Sequence, residues 1–474
     1  MNDAEFLAAL RDLVGANHVH SDPADLEPVL ADWWDIAHGG AVAAVYPGST
    51  AEVAAVMRLC AQLGRTVVPQ GGNTGLCRGA TPQPGGRGIV LGLRRMTALR
   101  EIDTPSNIVV AEAGLPLAAL HDALAEHGRR LPLHLGSEGS AQLGGLISTN
   151  AGGTGALRYG PMRDMVAGIE VVLPDGRVLT DLDALRKNNT GYDLKHLFIG
   201  AEGTLGIVTA AAFRIHPALR SSAHAWLAVD ALDDAVRLLV SLQERFDTAI
   251  QAVELLSADQ VDLVLRYIPR SRLPLDTMPK WSLMIELGAS DPTAPLQAAL
   301  EDWLASAFEE GLIADAFLAQ NQTQAADIWH VRHGVSDANK QHGRSLSHDV
   351  AVRPARLPQM IARCSDAVTA AYPQARILIV SHIGDGNVHF IAHFAHDDWA
   401  AVPDQSATVK HVMGMVHDIV TNLGGTFSAE HGIGRKLAGE LAQRADPARL
   451  TIMRGIKDHL DPQRLMNPGA IFPA

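Results

Sequence analysis

Three glycine-rich segments within the first 210 residues constrain this chain more than any other feature. They are Pro69-Gln-Gly-Gly-Asn-Thr-Gly75, Gly144-Gly-Leu-Ile-Ser-Thr-Asn-Ala-Gly-Gly153 and Gly200-Ala-Glu-Gly-Thr-Leu-Gly206. Glycine without a Cβ lets backbone approach a ligand closely, and successive N–H groups in such turns form nests that attract anions. The first segment has a legible scaffold. Residues 41–46 read as a buried strand ending at Pro47, and Ser49-Thr-Ala-Glu52 has capping-box spacing for a helix to about Leu63. Gly64 stops that helix, and a strand over 65–69 delivers the glycine turn. No GxGxxG opens a helix and no GxxxxGK[ST] occurs, so neither a Rossmann site nor a P-loop is supported.

The α/β pattern continues with a strand over 107–113 and a helix over 117–126. Residues 136–160 are rich in Gly, Ser, Thr and Asn, as in a loop or a backbone surface wrapped around a ligand. Pro174-Asp-Gly176 centres a β-hairpin over 166–179. From about residue 219 the pattern changes to strands over 225–229, 250–255, 282–288 and 315–319. Helices over 233–246, 295–310 and 323–339 alternate with them, which predicts a separate α+β domain.

Bulk properties exclude several classes. The chain has 474 residues, enough for two or three domains, and a net charge of −13 argues against a nucleic-acid binder. Cys60, Cys77 and Cys364 are far apart and form no CxxC, which fits a reducing compartment. Residues 1–19 carry mixed charge with helical spacing rather than a signal peptide, and no apolar run suits a membrane helix. The expectation is a cytoplasmic protein without a transmembrane segment.

In order along the chain, the glycine segments resemble those of the FAD-linked oxidase family that includes vanillyl-alcohol oxidase. Residues 187–194, 198–207 and Asn467-Pro-Gly-Ala-Ile471 resemble further regions of it. The branch most resembled is the D-2-hydroxy-acid dehydrogenases. The implied fold is α+β: a two-subdomain FAD-binding domain over 1–218, a ferredoxin-like cap over 219–424, and a C-terminal segment over 425–474 that returns to the flavin. The resemblance implies FAD held by Pro69, Gly71, Gly72, Asn73, Thr74 and Gly75. Gly139, Gly144, Ser148, Asn150 and Gly153 would line its path, with Glu202, Gly203, Ile207 and Asn467 completing the site. Some of these glycines would serve turns alone. The pyrophosphate loop has no His to attach the flavin, so non-covalent FAD is expected. Arg78 stands where a small or apolar residue is expected, and the sequence offers no account of it.

A second constellation lies near the other end. Strands over 377–381 and 388–394 flank Gly384-Asp-Gly-Asn387, a hairpin that sets His382 and His389 at its shoulders. Glu430 and His431 follow in Ser428-Ala-Glu-His-Gly-Ile-Gly434. Two imidazoles and a carboxylate suit a divalent ion. Among 21 histidines an isolated imidazole is more often packing, and His393 is read that way. The resemblance carries His382, His389 and Glu430 over as ligands of a zinc-like ion, and His431 as the base. It carries Arg332 over as the clamp on the substrate carboxylate, a fork a guanidinium can make. Flavin N5 would take the substrate hydride while the ion acidifies the hydroxyl.

Departures bear on the substrate. Ser347-His348 stand where the hydroxyglutarate branch has Lys, and Ile391 stands where it has Asn; Ser336 could replace a family Thr hydroxyl. D-2-Hydroxyglutarate is the first substrate expectation and D-lactate the second. Electrons would pass to an external electron-transfer flavoprotein, quinone or cytochrome, and apolar positions on the cap helices are compatible with a homodimer. The rival readings are a metal-dependent hydrolase on a glycine-rich scaffold, a non-catalytic FAD-binding electron-transfer protein, and a non-redox, lipid-forming FAD relative.

Overall fold

The computed structural model describes residues 1–473 and divides into two compact units. The first comprises Met1–Gly153, Tyr159–Ala218 and the chain from Glu430 onward. In it, helix Thr50–Leu63 buries Val53, Val56, Met57 and Cys60, the i, i+3, i+4, i+7 stripe of an amphipathic helix. Ser49 caps it by accepting the Glu52 N–H, and Gly64 ends it in the left-handed region at φ 62°. The return half of the capping box is displaced by one residue, because the Glu52 carboxylate accepts from the Gly48 N–H at 2.8 Å. Truncating a core side chain such as Met57 to Ala should cost about 3 kcal/mol.

Two sheets build this unit. Strands Ala43–Val45, Ile89–Gly92 and Val67–Gln70 pair in parallel, with Val19–His20 antiparallel at one edge. Ala43–Val45 and Ile89–Gly92 are buried at every position, as expected of parallel strands covered on both faces. The second sheet is antiparallel, in the order Leu99–Asp103, Ile108–Glu112, Ile207–Arg214, Val166–Val172, Val178–Asp181. The 166–179 hairpin forms with Gly176 at φ 81°. The glycine-rich stretch 136–160 contains a short helix, Leu143–Thr149, closed by Asn150 at φ 52°. From the C-terminal segment, Met466 bridges Val67 and the Asn467 N–H donates to the Val67 carbonyl.

The second unit comprises Thr154–Arg158 and Leu219–Ala429. Its sheet has seven antiparallel strands in the order Asp315–Leu318, Ser221–Val229, Trp281–Ala289, Ile250–Ser257, Arg376–His382, Asn387–Ala395, Gly343–Ala351. Alternate strand residues enter opposite cores. Ala225, Leu227, Ile285 and Phe390 pack with helices Leu232–Phe246, Leu296–Glu309, Leu357–Ala371 and Gln405–Asn422. Trp226, Met284, Val380 and Ile391 pack with helices Ala258–Tyr267, Gln322–His333 and Val335–His342. The single helix expected over 323–339 is thus two helices meeting at Gly334, where a Cβ would lie 2.9 Å from Ile268. Residues 425–429 belong to this unit because Thr426 exchanges both backbone bonds with Ala351, and the Ala429 N–H reaches Asp349.

Candidate active site

The first unit contains a cleft walled largely by backbone. Pro69, Gly71, Gly72, Asn73, Thr74 and Gly75 line one side, and Gly144, Ser148, Glu202, Gly203 and Ile207 line others, together with His431. Apart from its neighbours in the chain and, for Gly145, the backbone of helix Leu143–Thr149, no protein atom lies within 4 Å of where a Cβ would stand on Gly75 or Gly145, so both keep space open along the wall. At Gly72 the reason for glycine is different: a Cβ would lie 1.9 Å from the Ser140 carbonyl oxygen. Turns of this kind suit the pyrophosphate of a dinucleotide.

Other expected flavin residues are placed differently. Gly139, Asn150, Gly153 and Asn467 do not line the cleft. Asn150 accepts the Arg163 N–H at 2.9 Å, and Gly153, at φ 145°, lies where a Cβ would meet the His134 carbonyl oxygen at 2.4 Å. Asn467 is buried and donates through Nδ2 to the carbonyls of Gly79 and Glu202. Asn73 donates to the Ala31 carbonyl at 3.0 Å, so its amide secures the loop from behind. Glu202 is buried and accepts the N–H groups of Ile433 and Gly434 at 2.8 and 2.7 Å. Burial raises its pKa, and those bonds offset only part of the rise. Glu202 therefore anchors the segment that presents His431, whose Nε2 lies 3.5 Å from Glu430 Oε1.

Arg78 is explained by the fold. It takes φ 61°, and its Nε donates at 3.0 Å to Asp32, whose buried carboxylate also accepts the Ile36 and Ala37 N–H groups. The residue fastens an upstream turn to the end of the glycine loop.

In the second unit, register brings the expected polar side chains to one sheet face. His389 pairs with Val380 and with Asp349 on its two sides, and His382 pairs with Glu254 and Asn387. The His382 and His389 rings cross edge to face with centroids 5.5 Å apart. Glu254 was not anticipated from sequence. Its carboxylate is fully buried; Oε1 meets His382 Nδ1 at 2.5 Å and Oε2 accepts from Arg332 Nε at 2.6 Å. Burial opposes its ionisation, but the charges and hydrogen bonds of His382 and Arg332 prevail and hold the carboxyl below its ordinary range. One acid inside the apolar run Ile250-Gln-Ala-Val-Glu-Leu-Leu256 was the available signal.

Asn387 donates to Asp349 Oδ1 at 2.8 Å, and Asp349 Oδ1 lies 4.0 Å from His389 Nδ1. His348 is buried with Nδ1 3.2 Å from the Phe390 carbonyl oxygen. Ser336 is exposed on helix Val335–His342. His393 is buried with Nε2 2.7 Å from His342 Nδ1, a packing role.

A cleft lined by glycine turns in one unit, and a sheet face bearing paired imidazoles and a held guanidinium in the other, suit a flavin-dependent oxidoreductase. Residues 41–181 match the FAD binding domain model, and residues 219–471 match that of FAD linked oxidases, C-terminal domain. The chain belongs to the FAD-linked oxidase family. It is 33% identical over 471 residues to the mitochondrial D-2-hydroxyglutarate dehydrogenase of Arabidopsis thaliana, covering 99% of this chain and 82% of that one. It is 33% identical to the D-2-hydroxyglutarate dehydrogenase of Xanthomonas citri pv. viticola, covering 100% and 98%. The fold resembles that of p-cresol methylhydroxylase with substrate bound, at TM-score 0.77 and 16% identity, covering 99% and 97%. Among the described residues no helix is long and apolar enough to cross a membrane.

Proposed function

We propose that this protein oxidises D-2-hydroxyglutarate to the 2-oxo acid, with D-lactate the second candidate substrate and an external carrier receiving the electrons. The observation that carries the reading is Glu254, one buried carboxylate joining His382 to Arg332. A fully buried carboxylate is costly unless paired, and its pairing here fixes two groups that a 2-hydroxy acid needs. Support for the substrate comes from the relatives named D-2-hydroxyglutarate dehydrogenase.

FAD, when bound non-covalently in the glycine cleft, supplies the two-electron acceptor, and a zinc-like ion supplies Lewis acidity at the hydroxyl. The donor set fits such an ion: His382, His389 and Glu430 offer two imidazoles and a carboxylate. With Nδ1 engaged by Glu254, His382 would bind through Nε2, the carboxylate–histidine arrangement that fixes a ligand ring. Glu254 holds Arg332 by Nε, which leaves the outer guanidinium nitrogens to grip the substrate carboxylate as a fork. His431 takes the hydroxyl proton, a task suited to an imidazole near neutral pH. Ser336 contributes a hydroxyl to the substrate's far end. A cytoplasmic location accords with three buried cysteines that form no disulfide.

The test is anaerobic mixing of the purified yellow protein with D-2-hydroxyglutarate or D-lactate, with and without a chelator. Bleaching of the flavin band that is fastest with D-2-hydroxyglutarate and lost on chelation is the expected result. A flavin that neither acid bleaches, even with added zinc, would overturn the substrate assignment.

A further inference from the structure

The first unit carries a second donor cluster, made of three residues that neither the flavin nor the substrate assignment uses. His121 sits on helix Leu117–Glu126, and His134 and Glu138 lie on the segment that approaches the second glycine stretch. His134 Nδ1 is 3.0 Å from Glu138 Oε1, and His121 Nδ1 is 3.4 Å from Glu138 Oε2. The two imidazole rings are 4.9 Å apart between centroids, and one ligand atom from each of the three residues lies within 4.8 Å of the others.

The two imidazole–carboxylate separations lie in the range found between ligands of one ion. Four ligands at about 2.0–2.1 Å around a tetrahedral ion stand roughly 3.3 Å from one another. The loop is built to hold the carboxylate. The Leu135 N–H donates to Glu138 Oε1 at 3.1 Å, and the Ala118 N–H donates to the Glu138 carbonyl at 3.1 Å. His121 Nε2 is buried without a hydrogen-bond partner, so Nδ1 is the ring atom turned to the cluster. The His134 side chain is 52% exposed, which gives an ion an entry path and a position for water.

We propose that His121, His134 and Glu138 bind a borderline divalent cation of the zinc, cobalt(II) or nickel type. Two imidazoles select such ions over calcium or magnesium, which prefer all-oxygen shells. The ion ties helix Leu117–Glu126 to residues 134–141. The far end of that stretch reaches the cleft, since Ala141 lines it and the Ser140 carbonyl oxygen packs against Gly72. Binding therefore stabilises the cleft wall and slows flavin loss, by the linkage that favours any state a ligand prefers. The site is independent of the substrate reading.

The test uses the FAD-loaded full chain, stripped with a chelator, dialysed, and then titrated with zinc or cobalt(II). Wild type is compared with a His121→Ala, His134→Ala double variant, and with His382→Ala to separate this cluster from the proposed substrate-side ion. The expected result is one fewer zinc ion per chain in the double variant. Its zinc-dependent rise in Tm should be lost, flavin release should quicken, and substrate bleaching should be retained. The His382→Ala protein should keep the zinc-dependent rise in Tm. Equal zinc content and an equal Tm response in wild type and the double variant would overturn the proposal, showing a proton-held His–Glu–His clamp instead. If the double variant fails to fold, Glu138→Gln gives the same readouts, with unchanged zinc affinity as the overturning result.

Discussion

The two units present polar groups in opposite ways. The first uses backbone: its cleft is walled by Gly71, Gly72, Gly75, Gly144 and Gly203, with charged side chains such as Arg78 fastening the loops from outside. The second uses side chains: Glu254, His382, His389 and Asp349 stand on one face of an antiparallel sheet. A backbone site is intolerant of added atoms, whereas a side-chain site is intolerant of lost charge. The two should therefore fail differently when mutated.

The largest effect should come from Gly72→Ala, whose Cβ would meet the Ser140 carbonyl oxygen at 1.9 Å. Backbone cannot move aside cheaply, so flavin affinity should fall about 100-fold or more, read as loss of the yellow band on gel filtration. Retention of stoichiometric flavin would break the backbone half of the comparison. In the second unit, Glu254→Gln keeps the shape and removes the charge. It should lower kcat/KM by about 100-fold while the flavin stays bound, because Arg332 and His382 lose their shared anchor. Loss of flavin in that variant would show that the two sites are not separable.

A pH prediction follows from His393, whose imidazole burial depresses from 6.5 to about 4. The folded state keeps this ring neutral, so its contribution to stability is complete above pH 6.5 and declines as pH falls toward 4. His393→Gln should therefore reduce the loss of unfolding free energy between pH 7 and pH 5 by about 2 kcal/mol, read as a shallower fall in Tm. An unchanged slope would remove His393 from the account of acid sensitivity. The smallest effect belongs to Ser336→Ala on its exposed helix position: KM for D-2-hydroxyglutarate should rise about threefold with kcat unchanged. A change in kcat instead would place Ser336 nearer the reacting atoms.

Legibility followed the same division. Ser49, Gly64 and Gly176 announce their roles locally, because capping and positive φ depend on a few consecutive residues. The hairpin of His382 and His389 was likewise readable from its GDGN turn. Asn150 and Asn467 were read as flavin residues by motif, and the fold adds bonds the motif did not announce: Asn150 accepts from the Arg163 N–H and Asn467 donates to the Gly79 and Glu202 carbonyls. Such bonds join residues far apart in the chain, so a motif cannot announce them.

The sequence by itself determined the order of the glycine turns, the strands that carry them, and the residue types able to hold an anion or a metal. Those properties are set by short-range sterics and chemistry. Only tertiary structure decided that Glu254 joins Arg332 to His382, partners 78 and 128 residues away. Only it decided that Arg78 reaches back 46 residues to Asp32. Such pairings depend on strand register and on which faces are buried, and a buried charge is stable only where the fold brings its partner.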